Sequence, residues 1–140
     1  MQKVVTVLSV SPHPEDHASL AGIFGHSRWA LYQAGRVASA LAILHEREIG
    51  VVLCDRDVPP HTWVDLLEPL ALLADAPPLI VTSRLADERL WSEALNLGAY
   101  DVLAKPFDRR ELARSVSLAW LHWCHRHDHA KRLTTMRAAS

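Results

Sequence analysis

Short runs of β-branched and aliphatic residues alternate along this chain with longer stretches whose apolar positions recur every three or four residues. Val4-Thr-Val-Leu-Ser-Val10 predicts a first strand, stopped by Ser11-Pro-His-Pro14. From Glu15 to about His26, Ala18, Leu20, Ala21 and Phe24 fall at helical spacing. Glu15 and Asp16 then stand in the first turn, where the helix dipole favours acids. Trp29 to Gln33 is a short second strand, and Val37 to Glu46 places Val37, Ala38, Leu41, Ala42 and Leu44 on a second helix. Val51-Val-Leu-Cys54 is apolar throughout, the mark of a strand covered on both faces. Thr62 to about Ala74 reads as a third helix, which Pro69 should kink or shorten. Leu79 to Thr82 is a fourth strand, and Asp87 to Leu97 a fourth helix closed by Gly98. Asp101 to Ala104 is a fifth strand. Asp108-Arg-Arg-Glu111 has capping-box form and opens a last helix carrying Leu112, Val116, Ala119, Trp120 and Trp123.

Strand and helix alternate five times, which predicts a doubly wound α/β domain: a five-stranded parallel sheet with five helices on its two faces. In such sheets the functional crevice lies outside the carboxyl ends of the strands. This chain sets Ser11, Asp55, Thr82 and Lys105 at those ends. The absence of repeats and linkers predicts one domain over residues 1–124. A basic, histidine-rich tail, helical or frayed, follows over 125–140.

Composition narrows the function. The chain has 140 residues, 49% hydrophobic and 22% charged, with a formal net charge of −1. No global pull toward nucleic acid or membrane is expected from that balance, and no apolar run approaches the ~20 residues of a membrane helix. The start of the chain has no small-residue cleavage site, which argues against a secretory leader. Cys54 and Cys124 do not form a disulfide framework, and a cytoplasmic protein is expected. Cys54 reads as a small core residue, with Arg56 its only candidate for lowering a thiol pKa. In the tail, His122, His125 and His129 share a helix face at a spacing a metal could bridge, but no second ligand set accompanies them.

Three motifs give the strand-end residues a context: Leu53-Cys-Asp-Arg-Asp-Val-Pro59, Leu79-Ile-Val-Thr-Ser83 and Gly98-Ala-Tyr-Asp-Val-Leu-Ala-Lys-Pro-Phe107. Together and in this order, from about Val4 to Trp123, the chain resembles the receiver domain of bacterial two-component response regulators. The resemblance implies a flavodoxin-like sheet of strand order 2-1-3-4-5. It implies that Asp55 accepts a phosphoryl group, that Thr82 is the switch hydroxyl, and that Lys105 pairs with aspartate and phosphate across a cis Lys105-Pro106 bond. The chemistry suits those roles, since a carboxylate can form an acyl phosphate and an ammonium offsets charge on its oxygens. Implied partners are a sensor histidine kinase or phosphotransfer protein and, downstream, an output protein or a second copy. Trp120 and Trp123 on the last helix are candidates for that partner surface.

The sequence departs from the family at several positions. Receivers normally carry two adjacent acids after the first strand, which with the acceptor hold Mg²⁺. Here those positions are Ser11 and Pro12, leaving Asp55 as the one clear anionic ligand and making Mg²⁺ binding weak. Glu15 or Asp16 would substitute if the first strand ran on through Pro12 and Pro14, which prolines oppose. Val102 replaces the aromatic residue that often moves with the switch hydroxyl, and Tyr100 lies two positions earlier, on the same face by strand periodicity. His61 stands where glycine often shapes the loop. Two alternatives therefore stay open: a phosphorylation-independent pseudo-receiver acting through protein contacts, and a small flavodoxin-like binding or redox protein.

Overall fold

The computed structural model describes residues 4–25 and 27–139. The endpoint near His26 expected for the first helix, and the chain's first three residues, lie outside them. The strands are β1 (Thr6–Val10), β2 (Ala30–Ala34), β3 (Val51–Asp55), β4 (Asp57–Val58), β5 (His61–Thr62), β6 (Leu79–Ser83) and β7 (Asp101–Ala104). The helices are α1 (Pro14–Phe24), α2 (Val37–Glu46), α3 (Val64–Ala71), α4 (Glu88–Leu97) and α5 (Arg109–Ala139). Five strands form one parallel sheet in the order β2-β1-β3-β6-β7. This is the flavodoxin-like order expected, with the two extra strands pairing only with each other.

Strand periodicity sorts the core into two layers. Leu8, Val10, Val52, Cys54 and Val81 face one way, against Ala40 and Leu44 of α2, Leu66 and Leu70 of α3, and Leu90 and Ala94 of α4. Val7, Val51, Leu53, Ile80 and Leu103 face the other way, against Leu20 and Phe24 of α1 and Leu112, Val116 and Ala119 of α5. Helix ends follow their caps. Asp87 Oδ1 accepts from the Leu90 amide at 2.9 Å and Asp108 Oδ1 from the Glu111 amide at 2.9 Å. Gly98 closes α4 at φ 103°, a left-handed conformation that glycine adopts without steric cost.

Three expectations shift. Thr62 is not helical: it belongs to β5, and its amide donates to Asp65 Oδ2 at 2.9 Å, so α3 begins only at Val64. The same helix stops at Ala71 rather than Ala74, two residues past Pro69, which has no N–H to continue the ladder. Tyr100 precedes β7, outside the strand ladder. Its ring packs with the α1/α5 layer, 5.8 Å from the His122 ring, while Val102 faces the other layer. The same-face reading of those two positions is therefore corrected. Residues 125–139 continue α5, and no helix among the described residues is long and apolar enough to cross a membrane.

Candidate functional site

The carboxyl ends of β1, β3, β6 and β7 meet in a crevice on the α1/α5 side. Strand register explains the convergence: Asp55 pairs with Thr82, and Thr82 with Leu103, two residues before Lys105. Asp55 continues the Val51, Leu53 face, Thr82 the Ile80 face and Lys105 the Leu103 face, so all three side chains share one side of the sheet. Each is buried, Asp55 at 7% and Thr82 at 3% exposure, with the Lys105 side chain at 6%. Lys105 Nζ lies 3.3 Å from Asp55 Oδ2, and Lys105-Pro106 is a cis peptide.

A fourth residue completes the site. Asp16, on the first turn of α1, is buried, and its Oδ2 accepts from both Lys105 Nζ and the Ser11 hydroxyl, the latter at 2.6 Å. The first-turn position expected for this acid holds, and from it the carboxylate also reaches Lys105 and Ser11. It enters the crevice from the helix, with Pro12 and Pro14 left outside any strand. The sequence held a signal for this: Asp16, Leu20 and Phe24 are spaced i, i+4, i+8 and form the buried face of α1. Burial pushes the Asp16 carboxyl up, but the hydrogen bonds from Lys105 and Ser11 and the Lys105 charge outweigh it and hold the group below its ordinary value.

Ser11 supports this arrangement twice, donating to Asp16 and accepting from the His13 amide at 3.1 Å. Behind it, His17 Nε2 donates to the Ser11 carbonyl at 2.9 Å, since a carbonyl can only accept, and Nδ1 sits 3.1 Å from Ser9 Oγ. On the open side, His13 Nε2 lies 3.4 Å from Asp55 Oδ2 and its Nδ1 3.9 Å from Glu15 Oε1. A cavity of about 320 Å³ opens beside Lys105, lined by Glu15, Asp16, Ser19, Arg84, Pro106 and Phe107.

Does this donor set suit Mg²⁺? That ion wants near-octahedral hard oxygens and neighbouring carboxylates. Ser11 and Pro12 bring no carboxylate, the Ser11 hydroxyl is committed to Asp16, and the Lys105 ammonium bridges the two acids that remain. The residues present do not fit a divalent ion.

Other expectations are settled by burial. Trp123 is 4% exposed and its Nε1 donates to the Asp75 carbonyl at 3.1 Å, so its indole is core and not partner surface. Trp120 is half-buried and, with Trp123, closes over Gly50, where an added Cβ would lie 2.7 Å from Trp120 Cδ1. His127, unlike the other tail histidines a buried residue, is 5% exposed. It stacks on Trp123 at 4.7 Å and pairs with Asp75 Oδ2 at 2.7 Å. Among the described residues no cluster of three or more His, Cys, Asp or Glu is arranged to hold a metal. Cys54 is buried, and desolvation, then the neighbouring Asp55 charge, push its thiol up, the opposite of a reactive thiolate.

A doubly wound sheet with an acid, a hydroxyl and an amine at three adjacent carboxyl ends defines an open α/β domain whose candidate site lies at the carboxyl edge of the sheet. The response regulator receiver domain model matches residues 7–117, and the chain belongs to that family, whose members serve two-component signalling. The signal receiver domain of an HD domain-containing protein from Pseudomonas fluorescens Pf-5 superposes with a TM-score of 0.82. That match covers 91% of this chain and 95% of that one, at 22% identity. A putative response regulator from Chloroflexus aurantiacus J-10-fl gives 0.77 over 85% and 99%, at 20% identity. A protein-glutamate methylesterase/protein-glutamine glutaminase of Desulfotalea psychrophila is 32% identical over 71 residues, 49% of this chain. The match spans only 20% of that relative's length.

Proposed function

We propose that this chain is a phosphorelay receiver module, without enzymatic activity of its own, in which Asp55 accepts a phosphoryl group. The observation that carries the reading is the approach of Lys105 Nζ to Asp55 Oδ2 at 3.3 Å, on the same sheet face as Thr82. An Asp55 carboxylate oxygen forms the new O–P bond as the donor's own bond to phosphorus breaks and its electron pair leaves with the donor, and the ammonium of Lys105 offsets charge on the phosphoryl oxygens. Thr82 is the hydroxyl that turns toward them. The donor is a sensor histidine kinase or a phosphotransfer protein, and the state is passed through β7 and α5 to an output protein or a second copy. Intact mass after incubation with acetyl phosphate tests this. A single phosphoryl adduct in the wild type that is lost in Asp55→Asn supports it; no adduct at any Mg²⁺ concentration overturns it.

One observation favours a second reading. Lys105 bridges Asp16 and Asp55 without any phosphate, and an ion-paired internal triad needs no covalent switch. On that reading the domain is a phosphorylation-independent pseudo-receiver and the same mass experiment returns no adduct.

A further inference from the structure

Helix α5 outruns the sheet it packs on. The family match ends at residue 117, yet the helix continues unbroken from Arg109 to Ala139. Its core face is fixed by Leu112, Val116, Ala119, Trp123 and His127, all buried. At about 100° per residue, Leu118, His125, His129 and Met136 project from the opposite side. Their spacings, i, i+7, i+11 and i+18, span about five full turns, so they form one straight seam. All four are exposed, Leu118 at 52% and Met136 at 67%, and the exposed Leu121 and Leu133 flank them.

Two histidines one turn apart on an exposed helix face are half of a tetrahedral metal site. Imidazole nitrogens at i and i+4 can meet one Zn²⁺, an ion that takes four ligands of this kind. One chain supplies only the half: among the described residues no third His, Cys, Asp or Glu is placed to complete a set. His122, one turn earlier, packs its ring 5.8 Å from the Tyr100 ring and stands off the seam.

We infer that His125 and His129 form half of a Zn²⁺ site that a second copy of this chain completes, its α5 running antiparallel across the first. Nothing in this site depends on phosphorylation of Asp55.

The seam is self-complementary about residue 127. In antiparallel packing centred there, His125 of each copy lies level with His129 of the other, Leu118 with Met136, and Leu121 with Leu133. Both histidine pairs then surround the two-fold axis, and apolar side chains at either end shield them from water. The two domain bodies stay clear of each other, because Trp123 and His127 anchor each body to the far side of its helix. Arg132, at the edge of the seam, has a stem long enough to keep its charge in water. Apolar contact alone is too small to hold the pair. The few leucines and the methionine of each copy fall short of the ~800 Å² per partner typical of a stable interface, so the helices join only when the ion bridges them.

Sedimentation velocity of the full chain, in ZnCl₂ and in EDTA, tests this. The wild type should be monomeric in EDTA and double its mass in Zn²⁺, with one ion bound per two chains, and revert when EDTA is added. His125→Ala and His129→Ala should each stay monomeric at the Zn²⁺ concentration that dimerises the wild type, while His122→Ala dimerises as the wild type does. Orientation is read from Leu118→Cys and Met136→Cys chains in a Cys124→Ser background, treated with a short bismaleimide in Zn²⁺. Antiparallel helices hold the two copies of position 118 about 27 Å apart, so neither variant should crosslink alone and the mixture should. A monomer at every Zn²⁺ concentration, a dimer that persists in EDTA, a dimer indifferent to both histidine changes, or Leu118→Cys crosslinking to itself would overturn the inference.

Discussion

Asp16 and Lys105, 89 residues apart in the chain, form an ion pair inside the strand-end crevice, and Lys105 reaches Asp55 from the same position. The acid that α1 contributes is thus tied to the amine that β7 delivers, with Ser11 pinning the acid from the other side. A buried pair of this kind is retained by its geometry, because removing one partner leaves a charge without compensation.

Asp16→Asn therefore destabilises the domain by about 1–3 kcal/mol. Asp55→Asn costs less, since its contact with Lys105 is the longer one and Asp16 still holds the ammonium. Urea denaturation midpoints of the two variants, at constant m-value, check the order; equal losses would show that the two acids share Lys105 evenly.

Stability responds to acid through the same residue. The Asp16 carboxyl is held below its ordinary value in the folded chain, against a value of about 4 when unfolded. Its contribution is complete above the unfolded pKa and is lost as pH falls through the folded one. The difference in stability between wild type and Asp16→Asn should be constant from neutral pH down to about 5 and shrink below about 4. A difference independent of pH down to the acid limit would contradict the ionised state of Asp16.

Gly50→Ala should cost about 1–3 kcal/mol, since overpacking a closed site forces side chains off their rotamers. The added methyl meets the Trp120 ring at 2.7 Å and the Trp123 ring at 3.3 Å. A lowered thermal midpoint with altered tryptophan emission is the expected result. An unchanged midpoint would mean that α5 shifts at no cost.

Native Cys54 should resist alkylation at pH 8, because its thiol is buried and shifted away from the thiolate. Iodoacetamide labelling followed by peptide mass mapping should modify Cys54 only after denaturant is added. Rapid labelling of the folded chain would restore a redox role to this position.

Much of this architecture was legible because its signals are local. Period-2 and period-3.6 patterns, proline stops and caps at Asp87, Asp108 and Gly98 each depend on a few adjacent residues. Elements of two residues carry no periodicity, so nothing local marks β4 and β5, and Thr62 of β5 falls by pattern in the third helix instead. The role of His127 was hidden among eight other histidines because its partners, Asp75 and Trp123, become neighbours only when α5 packs against the loop before β6.

By itself the sequence determined the alternation of elements, hence the parallel sheet, and the strand-end positions of Asp55, Thr82 and Lys105, because chain order and side-chain period dictate them. Tertiary structure alone decided which acid serves the crevice, which tryptophan is buried and what faces Asp55 from solvent. Those outcomes depend on how far α1 and α5 slide and rotate over the sheet. Asp16, Trp123 and His13 take their surroundings from that docking, through contacts with residues far away in the chain.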